Sequence, residues 1–85
     1  FHDALIAENL HMISNPFPIK RVIGAKTRYR QPDAACQIDQ MEKNQLTSLF
    51  GQKQWAITPG QYVVFYDSNI CLGGGVIHSA YNSFN

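Results

Sequence analysis

Apolar residues recur along this chain in short runs, each closed by turn-forming residues. From Leu5 to Ile13 the chain is apolar at Leu5 and Ala7 and, after a change of phase, at Leu10 and Met12. The run stops at Ser14-Asn15-Pro16-Phe17-Pro18, where two prolines break any regular element. Val22 to Arg30 forms a second run, ended by Gln31-Pro32-Asp33, since proline fixes its own φ and restrains the residue before it. Ala35 to Met41 is a third, and Glu42-Lys43-Asn44 suits a turn into a fourth, Gln45 to Phe50. Gly51 then opens a loop through Trp55 to Thr58-Pro59-Gly60.

Tyr62 to Tyr66 is the clearest strand, filled with β-branched and aromatic residues. Asp67-Ser68-Asn69 is a tight turn, and Ile70 to Ser79 completes a hairpin. Only Ala4 to Leu10 carries even a weak helical pattern. Short strands at 8–12-residue spacing predict an all-β fold, a small closed or nearly closed antiparallel barrel of about six strands. Val63, Phe65, Leu72 and Ile77 are expected in its core.

At 85 residues, one domain is expected, with a core of limited size. An apolar share of 45% against 15% charged is that of a globular chain. No apolar run approaches the ~20 residues of a membrane span. The first residue is Phe1, so a processed chain or a piece of a longer protein is expected. Cys36 and Cys71 lack C-x-x-C spacing; a disulfide in a secreted protein and two buried thiols in a cytosolic one are both compatible, with the thiols favoured. His2, His11 and His78 are scattered without metal-ligand spacing.

Candidate chemistry narrows quickly. Cys71-Leu72-Gly73-Gly74-Gly75-Val76-Ile77 invites comparison with a phosphate loop. No Lys-Ser/Thr and no helix-forming run follow Gly75, and the spacing is not G-x-G-x-x-G. Glycines inside a strand instead mark a bulge, a barrel corner or a close approach of another backbone. No nucleophile elbow is present. Asp33 and Asp67 lie in turn signals, and Cys36 reads better as a buried small hydrophobe than as a nucleophile.

The net charge of +1 implies no partner, but its distribution is uneven. Lys20, Arg21, Lys26, Arg28 and Arg30 fall within eleven residues that hold no acid. On a continuous strand Lys26, Arg28 and Arg30 share a face at ~7 Å intervals, a row able to follow a phosphate backbone, with Tyr29 near the strand end available to stack on a base. A solvated strand face with Tyr29 in the core accounts for the same residues equally well.

The segments Lys26–Cys36 (KTRYRQPDAAC), Ala56–Asp67 (AITPGQYVVFYD) and Cys71–Ile77 (CLGGGVI), in this order, resemble the C-terminal domain of the tRNA-specific 2-thiouridylases, formerly tRNA (5-methylaminomethyl-2-thiouridylate)-methyltransferases. The likeness runs from about Leu5 to Ile77. It implies that the chain is the C-terminal β-barrel of a larger cytoplasmic enzyme, spanning residues 1–85, with N-terminal ATP-pyrophosphatase and central domains elsewhere. That enzyme activates the wobble uridine of tRNA with ATP (with Mg) and installs sulfur at C2, delivered by a persulfide relay protein. Catalytic cysteines and the ATP loop belong to the N-terminal domain, so the resemblance assigns this segment no catalytic residue, metal or cofactor.

What the resemblance does assign is tRNA contact by Arg28 and Tyr29 of the RYRQ motif and by Gln61 after Thr-Pro-Gly. Lys26 and Arg30 are further candidates from the basic row. Gln61 also reads simply as the polar first residue of a strand. Departures from the family pattern fall at Met12, where Trp is common, at Ala35, where Pro is usual, and at Gln52-Lys53, where Glu-Pro is frequent. The rival reading is a barrel for protein contacts, within its parent or with a sulfur carrier, with Trp55, Tyr62 and Tyr81 as an aromatic patch.

Overall fold

A computed structural model describes residues 1–13, 16–28, 32–54 and 57–83 of the chain. Six strands make up the regular structure: β1 (His2–Met12), β2 (Val22–Lys26), β3 (Ala34–Glu42), β4 (Gln45–Gln54), β5 (Tyr62–Asp67) and β6 (Ile70–Tyr81). They close into one antiparallel barrel in the order β1-β4-β3-β2-β5-β6, with β6 pairing back to β1. Closure leaves no edge strand among the described residues, which relieves a small β domain of its main aggregation hazard.

The alternation in the sequence becomes the two sides of the barrel wall. Val63 and Phe65 on β5, Leu72 and Ile77 on β6 and Ile38 on β3 all point inward and are buried. All four core residues expected from the sequence are therefore in place. The change of phase after Ala7 is a β-bulge: Asn9 adopts φ 52°, and the β1–β6 register shifts between Glu8 and His11. The proposed helical stretch at Ala4 to Leu10 is strand, because the bulge breaks the period of two and imitates a longer one.

Both tight turns are two-residue hairpin loops, Lys43-Asn44 and Ser68-Asn69, whose first residues take positive φ. Other boundaries differ from expectation. β2 ends at Lys26 and not at Arg30; Thr27 and Arg28 follow in a bend. β4 does not stop at Phe50 but runs through Gly51 to Gln54, which pairs with His2 across a bulge.

Two connections supply core residues. Phe17, between the prolines, is 1% exposed and meets the Phe65 ring edge-on, at a centroid distance of 5.7 Å. Ile57, between β4 and β5, is likewise buried. The prolines that end the first strand thus turn Phe17 back into the barrel.

The three glycines lie inside β6, as expected of a strand and not of a phosphate loop. A Cβ on Gly73 would overlap the carbonyl oxygen of His11 on β1, and one on Gly74 would overlap that of Val63 on β5. One on Gly75 would stand 2.8 Å from the Glu8 carbonyl oxygen. Side chains here would push both neighbouring strands away from β6, so the glycines permit closure.

Candidate nucleic-acid interface

Antiparallel pairing gathers the candidate residues at one end of the barrel. Lys26, the last residue of β2, pairs with Val64 of β5. Arg28 therefore leaves β2 at the end where β5 begins, which is where Gln61 stands. Lys26, Arg28 and Gln61, separated by up to 35 positions in sequence, share that end. Tyr29 and Arg30 lie outside the described residues, as does Trp55.

Gln61 is held by its backbone. Its N–H donates to the Thr58 carbonyl at 3.2 Å, with Pro59 and Gly60 between them and Gly60 at φ 91°. Proline second and a positive-φ glycine third define a type II turn. The turn is bonded to β6: Gly60 N–H donates to the Ile77 carbonyl at 2.8 Å, and Ile77 N–H to the Gln61 carbonyl at 2.7 Å. The side chain is half-buried, and its buried Oε1 has no hydrogen-bond partner among the described residues. A ligand donating to that atom would displace no protein hydrogen bond.

The basic stripe is less open than the sequence suggests. Its neighbours in sequence include no acid, but the fold brings three. Lys20 pairs with Asp39 at 3.0 Å, Arg21 with Asp67, and Lys26 with Asp33 at 3.6 Å. The Lys26 Nζ also lies 5.4 Å from the centre of the Tyr66 ring. Asp33 packs over Gly24, where a Cβ would stand 2.6 Å from its carboxylate oxygen. Lys26 and Arg28 do not share a continuous strand face, because β2 ends at Lys26 and Arg28 follows in a bend; the third member expected in that row, Arg30, lies outside the described residues. Arg28 is half-buried in the bend beyond it.

Both cysteines are free thiols. Cys36 is buried in the core, and its pKa is pushed up to about 11, chiefly by burial, with the Ser48 hydroxyl opposing and Asp33 adding to the rise. A thiol so protonated is a poor nucleophile. Cys71 is only half-buried, because it pairs with Tyr66 at the outward-facing end of the β5–β6 hairpin. Among the described residues no three His, Cys, Asp or Glu side chains are placed to hold a metal, and no helix is long and apolar enough to cross a membrane.

Comparison with known proteins gives this barrel a family. Residues 2–77 match the model of the aminomethyltransferase β-barrel domain. The chain is 59% identical over 80 residues to the tRNA-specific 2-thiouridylase MnmA of Methylobacillus flagellatus, covering 93% of this chain and 22% of that protein. It is 49% identical over 73 residues to the protein of the same name from Bordetella pertussis, covering 86% of this chain and 20% of that one. For the Aeromonas hydrophila protein, identity is 42% over 83 residues, with 96% and 23% covered. The chain spans about a fifth of the length of the curated relatives it matches.

Proposed function

The chain belongs to the aminomethyltransferase β-barrel domain family, as carried by tRNA-specific 2-thiouridylases, and on that premise we propose that it is the tRNA-binding accessory barrel of a tRNA-uridine 2-sulfurtransferase. The observation that carries the reading is the 59% identity to a tRNA-specific 2-thiouridylase over 93% of the chain. The parent enzyme performs ATP-dependent 2-thiolation of the wobble uridine in the cytoplasm. ATP (with Mg) and the reacting sulfur, handed on by a persulfide donor, are handled by its other domains. The barrel itself contributes no catalytic residue; it holds the substrate.

Arg28 and Gln61 are the principal contacts, with Tyr29 beside Arg28. Arg28 presents a guanidinium able to grip a phosphate with two parallel hydrogen bonds. Gln61 offers an amide on a rigid turn, suited to a ribose 2′-hydroxyl or a base edge. Lys26 and Arg30 have lesser roles, Lys26 because Asp33 and Tyr66 already engage it.

The test is tRNA binding by the full-length protein that carries this barrel, measured across a salt series. Arg28→Ala is expected to weaken binding and to lower the log–log salt slope by roughly 0.7–0.9, the counterion release of one phosphate contact. Arg28→Lys restores the slope but only part of the affinity, since a point charge lacks the fork. Gln61→Ala weakens binding at unchanged slope. Unchanged affinity and slope in folded Arg28→Ala protein would refute the assignment of Arg28.

A further inference from the structure

Two tyrosines, Tyr62 and Tyr66, stand on the outward side of β5, four residues and roughly 13 Å apart along the strand. Their surroundings differ. The Tyr66 ring faces the Lys26 ammonium. The Tyr62 ring is 49% exposed and leans across the strand pair onto β6, its Cε2 2.9 Å from where a Cβ on Gly74 would stand. A glycine covered by a neighbouring aromatic is a known device for keeping a sheet packed where a side chain is missing. It leaves Tyr62 in contact with the wall at Gly74 and still half exposed. The Tyr62 hydroxyl makes no hydrogen bond among the described residues.

Tyr62 is also well anchored. It directly follows Gln61, whose turn is bonded through both N–H and carbonyl groups to Ile77. Ordering this ring on a ligand therefore costs little backbone entropy. Charge around it is uneven, although Lys26 is already paired with Asp33. On one side Lys26 of β2 pairs with the Val64 position of β5; on the other, Tyr62 pairs with Val76, which pairs with Glu8 of β1. A ligand with a flat apolar face and an anionic group suits this arrangement, with the anion toward β2 and away from Glu8.

We infer that Tyr62 is a stacking platform for an unpaired base of the bound tRNA, with the phosphate of that nucleotide on the β2 side. The inference rests on the tRNA-binding reading above and adds a residue and a contact type to it. It also gives Gly74 a second role, since any larger residue there would lift the ring off the wall.

The experiment compares Tyr62→Phe, Tyr62→Leu and Tyr62→Ala in the full-length protein, with an unmodified tRNA transcript as probe across a salt series and thermal melting as the folding control. Leucine still covers Gly74 but has no π-face. Phe is expected to bind within about 2-fold of wild type, and Leu and Ala to lose roughly 5- to 150-fold, the span for losing one base–aromatic stack. The salt slope stays unchanged in all three. Wild-type binding with an unaffected, folded Tyr62→Leu overturns this inference alone, and so does a Leu variant that only alters proteolysis between the barrel and its parent chain. Wild-type protein without measurable tRNA affinity overturns the proposed function as well.

Discussion

Replacing Gly73 by alanine adds one methyl group at a place where the barrel has no room. Gly73 sits at φ 127°, a conformation that costs an L-residue about 1–3 kcal/mol. The new Cβ would also overlap the His11 carbonyl oxygen and lie 3.0 Å from Met12 Cα. Both are backbone atoms, so no side-chain rotation relieves the overlap. β1 must move away from β6, which threatens the Met12–Gly73 pairing and the adjoining bond from Ile13 N–H to the Leu72 carbonyl, 3.0 Å long. Each lost hydrogen bond adds about 0.5–1.5 kcal/mol. The expected total is about 3–5 kcal/mol, against a stability of about 4–13 kcal/mol for a domain of this size.

Two other glycines separate the causes. Gly60 has φ 91° but open space around a Cβ, so Gly60→Ala should cost only the strain, about 1–2 kcal/mol. Gly51 has open space and no positive φ, so Gly51→Ala should fall within about 0.5 kcal/mol of wild type or stabilise slightly through the unfolded state. Urea unfolding of the purified chain, followed by far-UV circular dichroism and compared at equal m, measures all three. A Gly73→Ala midpoint no lower than that of Gly60→Ala would refute the close-approach argument.

Further predictions concern the core. Phe17→Ala should cost about 3–5 kcal/mol, as for a buried aromatic, although Phe17 lies in a connection; urea unfolding checks it, and a cost below about 1 kcal/mol would show that the loop merely covers the barrel. Cys36 has a folded pKa raised from 9.0 to about 11, so the unfolded chain loses its proton first. Stability is therefore full below pH 9 and falls between about pH 9 and 11 by about 2–3 kcal/mol, a decline that Cys36→Ala should remove when unfolding is measured against pH.

The fold was largely legible because its determinants are local. β-branched and aromatic alternation marks β5, and Asp67-Ser68-Asn69 and Lys43-Asn44 supply the residues that two-residue turns demand. The errors share a physical origin. Gly51 reads as a break, but β4 runs through it because pairing holds on either side, at Phe50 with Cys36 and at Gln54 with His2. Gly73 to Gly75 were readable as strand because their flanks lack helix signals. Which strands they accommodate, β1 on one side and β5 on the other, depends on closure and left no local mark.

The candidate site was legible in its residues but not in its electrostatics. A stretch of five cations without an acid looks like an open basic face, and in sequence it is one. Asp39, Asp67 and Asp33 reach it only because β2 is flanked by β3 and β5. Exposed pairs of this kind are worth little to stability, about 0–1 kcal/mol each. Their effect on binding is larger, since a cation already facing a carboxylate gives up that partner before it meets a phosphate. On the proposed tRNA-binding reading, recognition at this end of the barrel would rest less on a continuous charged row than on a few oriented groups. In the proposed tRNA complex the Gln61 amide and the Tyr62 ring, both beside a turn bonded to Ile77, would give up no ion pair on binding, so their contribution to tRNA affinity should persist at salt concentrations where the lysines' contribution has been screened away.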